Sequence, residues 1–154
     1  MKIEDSFRVA RPIEQVWAAI TDPARVGPCI PGCRGVEVTG PASYKAAVQV
    51  AIGPIKTEFN LVVEVTEERP PGFAATVTRG EEGSRVSVLS AHSTLRLAPA
   101  GDSATNVHYS SEVSVVGRLG RFGLGVMKKK AKAMGDEFAA AFRTRVEGDD
   151  AGSA

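Results

Sequence analysis

The architecture of this protein is set by the stretch "YKAAVQVAIGPIKTEFNLVVEV", Tyr44 to Val65. Apolar and more polar residues alternate on both sides of Gly53 and Pro54, a dipeptide that favours a turn. A period of two residues places every second side chain on the same face of a strand. The stretch therefore predicts two long antiparallel strands joined in a hairpin.

The same alternation continues downstream. Residues 73–80 and 84–98 predict two more strands, which "ERPPG" separates from the hairpin and "GEEG" separates from each other. A last strand follows the turn sequence "PAGDSA". Its alternation places Val107, Tyr109, Val113 and Val115 on one face and His108, Glu112 and Ser114 on the other.

The residues upstream of the hairpin predict a strand and then helices. "KIEDSFRVA" alternates as a strand does, and after Pro12 the apolar residues fall at i, i+3, i+4 and i+7. Pro23 ends this helix, and a short helical turn is expected before Gly27. The predicted apolar stripe of the first helix is Ile13, Val16, Trp17 and Ile20.

The region after Gly117 predicts one long amphipathic helix. Six apolar residues recur there at helical spacing, among lysines and acids that decorate the other faces. We expect a single domain over residues 1–147 and a disordered acidic tail at 148–154. The six residues are Met127, Ala131, Met134, Phe138, Ala141 and Phe142.

The composition is that of an ordinary globular domain. The chain has 154 residues, 43% of them apolar, and 19 basic residues against 18 acidic ones leave a net charge of +1. This balance provides no global field for nucleic acid. Because the N-terminus lacks the apolar run of a signal peptide and there are only two cysteines, we expect a cytoplasmic protein.

A bent antiparallel sheet with one long helix across it predicts an α+β fold with internal space. Such a sheet is hard to fill with side chains alone, so a pocket is expected, although the same residues would also serve a solid core. The residues expected to face inward are Phe59, Leu61, Phe73, Val77, Leu89, Tyr109, Val113, Met127, Met134 and Phe138.

Three stretches carry a family resemblance: "PIEQVWAAITDPARVGPCIPGCRGVE", "YKAAVQVAIGPIKTEFNLVVEVTEERPP" and "YSSEVSVVGRLGRFGLGVMKKKAKAMGDEF". In these the chain resembles the START-like (SRPBCC) superfamily, and more narrowly the CoxG family of carbon monoxide dehydrogenase subunits. "CIPGC", Cys29 to Cys33, is the most distinctive match. The resemblance implies a helix-grip (Bet v1-like) fold: a curved antiparallel sheet around a long C-terminal helix, with two short helices after the first strand.

The resemblance also implies a function. Such a protein would be a non-catalytic accessory of a molybdenum-containing dehydrogenase, without a cofactor of its own, that binds a quinone or lipid-like molecule and touches membranes at most peripherally. Two alternatives stay open, a docking adaptor with a filled core and a cyclase or hydrolase-type enzyme of the superfamily. Under the carrier interpretation Trp17 and Phe122 join the inward-facing residues named above as the ligand-binding set.

Cys29 and Cys33 admit three interpretations. With His92 and His108 they could supply four zinc ligands, they could form a disulfide, or they could be small thiols in a rigid corner. Both histidines have the strand parity opposite to Leu95 and should point away from the interior, and a reducing cytoplasm opposes a disulfide. We favour the corner and expect no metal.

No residue is expected to be catalytic. The acids Glu58, Glu64 and Glu112 fall on the polar parity of their strands, where solvated charge is the ordinary explanation. The lysines of "KKKAK", 128–132, would meet lipid head groups or an acidic partner, or simply form a solvated helix face, which we favour. "GRLGRFGLG", 117–125, predicts either a flexible flap over the cavity or a plain helix entry.

Overall fold

The computed structural model describes residues 1–83 and 86–153, with side chains up to Gly148. Within these residues there are seven strands, three α-helices and two short 3₁₀ helices, and the strands and α-helices follow the predicted order. The elements are β1 (Lys2–Val9), α1 (Ile13–Ile20), α2 (Pro23–Val26), a 3₁₀ helix (Gly27–Cys29), β2 (Cys33–Gly40), β3 (Ser43–Ile52), β4 (Ile55–Arg69), β5 (Phe73–Glu82), β6 (Ser87–Pro99), β7 (Thr105–Gly117), a 3₁₀ helix (Leu119–Phe122) and α3 (Leu124–Ser153).

All seven strands form one antiparallel sheet in the order β1-β7-β6-β5-β4-β3-β2. The predicted hairpin is β3 and β4, in which Ile52 pairs with Ile55 and Gly53 adopts a φ of 56°, a conformation that favours glycine. Every later strand is added as a neighbour of the one before, and β1 then pairs with β7. The predicted fold class, a curved sheet with a long C-terminal helix, is confirmed.

The register defines two faces of the sheet. Phe7 pairs with Val107, which pairs with Leu97, so these three side chains share a face. The ring of Phe7 lies 6.4 Å from that of Phe138 and 6.2 Å from that of Phe142, both on α3. The face that α3 covers is called the inner face below, and the opposite one the outer face.

The apolar core is divided into two clusters at the two ends of the inner face. The first cluster joins α1, the Cys29 corner and the C-terminal half of α3; its buried members are Val9, Val16, Ala19, Cys29, Leu97, Val107, Phe142 and Val146. The second cluster joins the β3–β4 hairpin to the segment before α3; its buried members are Ile52, Phe59 and Leu119. Val50, Ile55, Leu61, Leu89, Val115, Phe122 and Met127 pack against the second cluster.

Two residues predicted to face inward lie on the outer face instead. Val77 pairs with Glu64 and His92, and the ring of Phe73 lies against the guanidinium groups of two arginines. The prediction was wrong because β5 carries its larger side chains outward. From Ala74 to Gly80 its inner positions are small or hydroxylated, at Ala74, Thr76, Thr78 and Gly80, so hydrophobicity alone selected the wrong parity.

Two predicted boundaries fall at residues that the structure describes only in part. The strand expected from Ser84 begins at Ser87, and residues 84 and 85 lie outside the described residues. The tail expected at 148–154 consists almost entirely of residues whose side chains are not described, and its disorder stays a prediction.

A charged clamp fastens α3 to the edge of the sheet. Lys132 donates hydrogen bonds to Asp5 of β1 and to Asp136 of α3, each over 2.8 Å. The lysine, helped by the backbone N–H of Ser6, lowers the pKa of Asp5 and the two carboxylates raise the pKa of Lys132. The negative form of Asp5 is therefore favoured in the folded state.

We predict that Asp5→Asn lowers the urea midpoint of unfolding at pH 7 and that the deficit shrinks in acid. The pKa of Asp5 in the folded state lies below its ordinary value of 3.8, which applies in the unfolded state. At pH values between these two pKa values the unfolded state therefore binds more protons than the folded state. The stability that ionised Asp5 contributes is complete at pH values above its ordinary pKa and is lost as the pH falls through its pKa in the folded state.

Urea unfolding at pH 7 and near pH 3, followed by circular dichroism, measures this difference. Asp102→Asn, in the exposed turn between β6 and β7, is the control and should show no such trend. A deficit for Asp5→Asn that persists unchanged in acid would contradict the assignment.

Candidate ligand-binding site

The centre of the inner face lies between the two clusters and is partly exposed to solvent. One row across the sheet consists of Val65, Thr76, Ser93 and Ser111, which pair in sequence from β4 to β7. All four side chains are half-buried although they point to the side of α3. Side chains on a covered face stay partly accessible only where their neighbours leave room, so a gap separates this part of the sheet from the helix.

Hydroxyl groups line the middle of this gap. The Oγ atoms of Ser93 and Ser111 are 2.7 Å apart and share a hydrogen bond, with Thr76 as the next residue of the same row. We call Thr76, Ser93 and Ser111 the hydroxyl row. Hydrophobic patterning did not select it, although Ser93 and Ser111 stand two positions from Leu95 and Tyr109 and therefore share their parity. The row offers donors and acceptors to a polar group of a ligand.

Tyr109 brings a fourth hydroxyl to the same region. Its OH lies against α3 at Gly135, where a Cβ atom would be only 2.4 Å away. Burial raises the pKa of this phenol, so it is neutral at physiological pH and able both to donate and to accept. The glycine in α3 thus makes room for the tyrosine where the helix crosses the sheet.

The structure groups the predicted inward-facing residues into three sets. Phe59, Leu61, Leu89, Phe122 and Met127 come together in or against the second cluster. Trp17 and Phe138 pack against the first cluster, while Tyr109 and Val113 stand between the clusters on β7. Met134 is half-buried on α3. The walls of the gap are thus apolar at both ends and hydroxylated in the middle.

A flap, defined as Gly117–Gly123, covers the end of the gap beside the second cluster. Its two terminal glycines adopt φ values of 98° and 84°, a region that other residues rarely enter. Leu119 is only 1% exposed, and its backbone N–H donates to Ser87 Oγ over 3.0 Å. Arg118 forms an ion pair with Glu82. The segment predicted as a flap or a plain helix entry is thus held by Leu119, by the hydrogen bond to Ser87 and by the Arg118–Glu82 pair, with a positive-φ glycine at each end.

The Cys29 corner has the geometry of a structural turn. Cys29 is buried and Cys33 half-buried; the two do not form a disulfide, and their Sγ atoms donate to backbone carbonyl oxygens at Arg25 and Gly35. Gly32 has a φ of 78°, and a Cβ there would lie 2.1 Å from the carbonyl oxygen of Gln49. The motif thus holds β2 against β3.

The histidines and the acids named from the sequence lie on the outer face. His92 pairs with Val77 and Glu112, and His108 contacts Ser6 and Glu4. Among the described residues, no three His, Cys, Asp or Glu side chains are grouped as a metal site. Glu58 lies 3.3 Å from Arg34 at the surface, and Glu64 and Glu112 are exposed, as their parity predicts.

An open groove of about 1580 Å³ runs along β2 to β6; most of its lining belongs to the outer face, although Leu61, Glu82 and Leu89 of the inner face also border it. Charged side chains of both signs line it, among them Lys45, Glu58, Arg79 and Glu81. Apolar ligands need an apolar lining with few polar groups, so this groove suits them less well than the inner gap. We therefore place the candidate site on the inner face.

The curved sheet, the helix across it and the space between them define a START-like helix-grip domain. Solved structures with this fold include a conserved protein of Geobacillus kaustophilus (TM-score 0.88, 26% identity, covering 96% of this chain and 95% of that one). A START superfamily protein of Mycobacterium smegmatis shares it with a TM-score of 0.74 and 16% identity, covering 95% of this chain and 97% of that one. The Zhui aromatase/cyclase of Streptomyces sp. R1128 shares it with a TM-score of 0.68 and 15% identity, covering 96% of this chain and 93% of that one.

The sequence then narrows the class to one family. The model of the CoxG family of carbon monoxide dehydrogenase subunits matches residues 6–147, so the chain belongs to this family. No curated protein matches the chain. Among the described residues, every helix is too short or too polar to span a bilayer.

We predict that the native protein, purified without reductant, contains two titratable thiols that react at very different rates. Half-buried Cys33 should react with a thiol reagent many times faster than Cys29, which is buried in the first cluster. Time courses of the wild type and of Cys33→Ser, with and without denaturant, measure this. A wild type that shows no free thiol after unfolding would contradict the assignment and indicate a disulfide.

Proposed function

We propose that this protein is a non-catalytic carrier that binds a quinone or lipid-like molecule between its sheet and α3 and serves a carbon monoxide dehydrogenase or a related molybdenum hydroxylase. One observation carries the proposal. The inner face is buried at both ends, whereas several side chains in its middle, such as Thr78 and Val113, are only half-buried beside the buried Val63 and Ala91. Family membership supports the role as an accessory protein and the choice of enzyme.

The chemistry of the walls fits a ligand with an apolar tail and a polar ring. The tail would lie against Leu61, Leu89 and Met127, and burying roughly 200 Å² of it would contribute about 5 kcal/mol at about 25 cal/mol per Å². The ring substituents would contact the hydroxyl row and Tyr109. The ligand is thus held mainly by apolar contact and oriented by a few hydrogen bonds.

The two other functions have weaker support. An adaptor with a filled core does not account for hydroxyl groups that are still accessible on the covered face. An enzyme of the cyclase type needs a positioned acid or base, but both histidines lie on the outer face and the inner carboxylates of Asp5 and Glu82 are paired with cations. We therefore favour a carrier function over an enzymatic one.

A carrier of bilayer-soluble molecules needs access to a membrane surface, and the start of α3 provides suitable residues. Leu124 and Val126 are 65% and 46% exposed, next to exposed Lys128 and Lys129. Residues 113–135 contain six basic residues and no acidic one, in a chain whose net charge is +1. Exposed apolar groups beside lysines favour peripheral contact with anionic lipid. We propose that this cytoplasmic domain, residues 1–147, loads its ligand there.

We predict that Val113→Trp reduces retention of a naphthoquinone by at least about tenfold. The added ring would occupy the gap next to the hydroxyl row, while it adds no charge. Ser114→Trp is the matched control, because the next residue of β7 is exposed on the outer face. Equilibrium dialysis of both variants against 2,3-dimethyl-1,4-naphthoquinone measures the difference. Equal retention by the two variants, or no retention by the wild type, would count against a ligand in this gap.

We predict that the protein sediments with vesicles in which about one lipid in three is phosphatidylserine and that Leu124→Ser with Lys128→Ser reduces the bound fraction severalfold. The double substitution removes one apolar side chain and one positive charge, so it weakens both the apolar contact with the bilayer and the electrostatic attraction to anionic lipid. Thr39→Ala, at an exposed position in β2 far along the sheet, serves as the control. If the double variant binds the vesicles as well as Thr39→Ala does, the start of α3 is not the membrane contact.

A further inference from the structure

Glu82 is a buried carboxylate that neither the sequence nor the proposed function explains. It is the last residue of β5 and stands on the inner face opposite Phe59. Its side chain is 1% exposed; Oε1 accepts a hydrogen bond from Arg118, whereas Oε2 is buried and has no hydrogen-bond partner among the described residues. Such groups are rare in proteins because a buried oxygen without a donor costs free energy.

The position of Glu82 connects it to the candidate site. The adjoining row of the inner face holds Leu61, Gly80 and Leu89, of which the two leucines are half-buried. Gly80 contributes no side chain there, and a methyl group of Leu61 lies over it, 2.4 Å from where a Cβ would be. Half-buried side chains therefore lie one row away from the carboxylate, with the methyl group of Leu61 in between.

The flap forms the other boundary of the Glu82 site. Arg118 reaches Glu82 from the flap, and its own side chain is 46% exposed, so one end of the ion pair is buried and the other is at the surface. The flap hinges on Gly117 and Gly123. Movement of the flap together with Leu61 is the change that would bring a ligand group to Oε2.

We propose that Oε2 of Glu82 accepts a hydrogen bond from a hydroxyl of the ligand head group, so that the protein binds the reduced, dihydroxy form of a quinone-type ring more tightly than the oxidised form. A carboxylate can only accept hydrogen bonds, and a quinone carbonyl is also only an acceptor. A hydroquinone hydroxyl supplies the missing donor, and hydrogen bonds to charged groups are stronger than neutral ones. This inference rests on the proposed function and specifies its ligand.

This preference for the reduced form indicates the direction in which the protein transports its ligand. A carrier that holds the reduced ring more tightly is better suited to remove a reduced product than to deliver an oxidant. Apolar contacts with the tail, at Leu61 and Met127, are the same in both redox forms. The difference in affinity would then come from the head group alone.

The test compares the two redox forms on the same protein. Anaerobic equilibrium dialysis would measure the dissociation constants of 2,3-dimethyl-1,4-naphthoquinone and of its hydroquinone. We expect the wild type to bind the hydroquinone about tenfold or more tightly. In Glu82→Gln, whose amide can donate to a carbonyl, the ratio should fall to about one or invert. Because the ratio is taken within one sample, partial loss of folded protein does not change it.

Glu81→Gln is the matched control, because the preceding residue of β5 is exposed on the outer face, and it should keep the wild-type ratio. If the wild type binds both forms equally, or if Glu82→Gln leaves the ratio unchanged, the inference is overturned while the carrier function stands. If the wild type binds neither form, the proposed function itself fails, and this inference with it.

Discussion

The structure depends on how one helix covers a sheet that is much wider than the helix. At one end of the inner face, Phe138 and Phe142 stack on each other with ring centroids 5.7 Å apart and meet Phe7 of β1 edge-on. At the other end, the flap inserts Leu119 beside Phe59. A single helix cannot also fill the centre of a bent sheet, so the apolar core forms as two clusters with accessible space between them.

This arrangement lets stability and ligand binding use different residues. The two clusters bury the large apolar side chains that hold the helix on the sheet, and the Asp5–Lys132 pair adds a fastening at the edge. Many side chains in the centre are small or hydroxylated, the hydroxyl row among them, and these stay half-buried. A ligand that fills this centre would complete the burial of apolar surface that the chain itself leaves unfinished.

The polar groups of the inner face follow the same division. Ser93 and Ser111 satisfy each other, and Glu82 is half satisfied by Arg118 of the flap. Hydrophobicity alone identifies none of them, because each stands in a strand whose apolar neighbours dominate the pattern. In β5 this misled the prediction: Phe73 and Val77 were expected inside, and they cover the outer face.

Alternation and helical spacing alone determined the order of strands and helices and the hairpin at Gly53, because they reflect local backbone geometry that each segment carries with it. The "CIPGC" corner and the two other matching stretches were also sufficient to identify the family from the sequence. Only the tertiary structure decided which parity of β5 faces α3, that the hydroxyl row lines the gap, and that Glu82 is buried. These depend on the register between strands distant in sequence and on which face the helix covers, which a local pattern cannot encode.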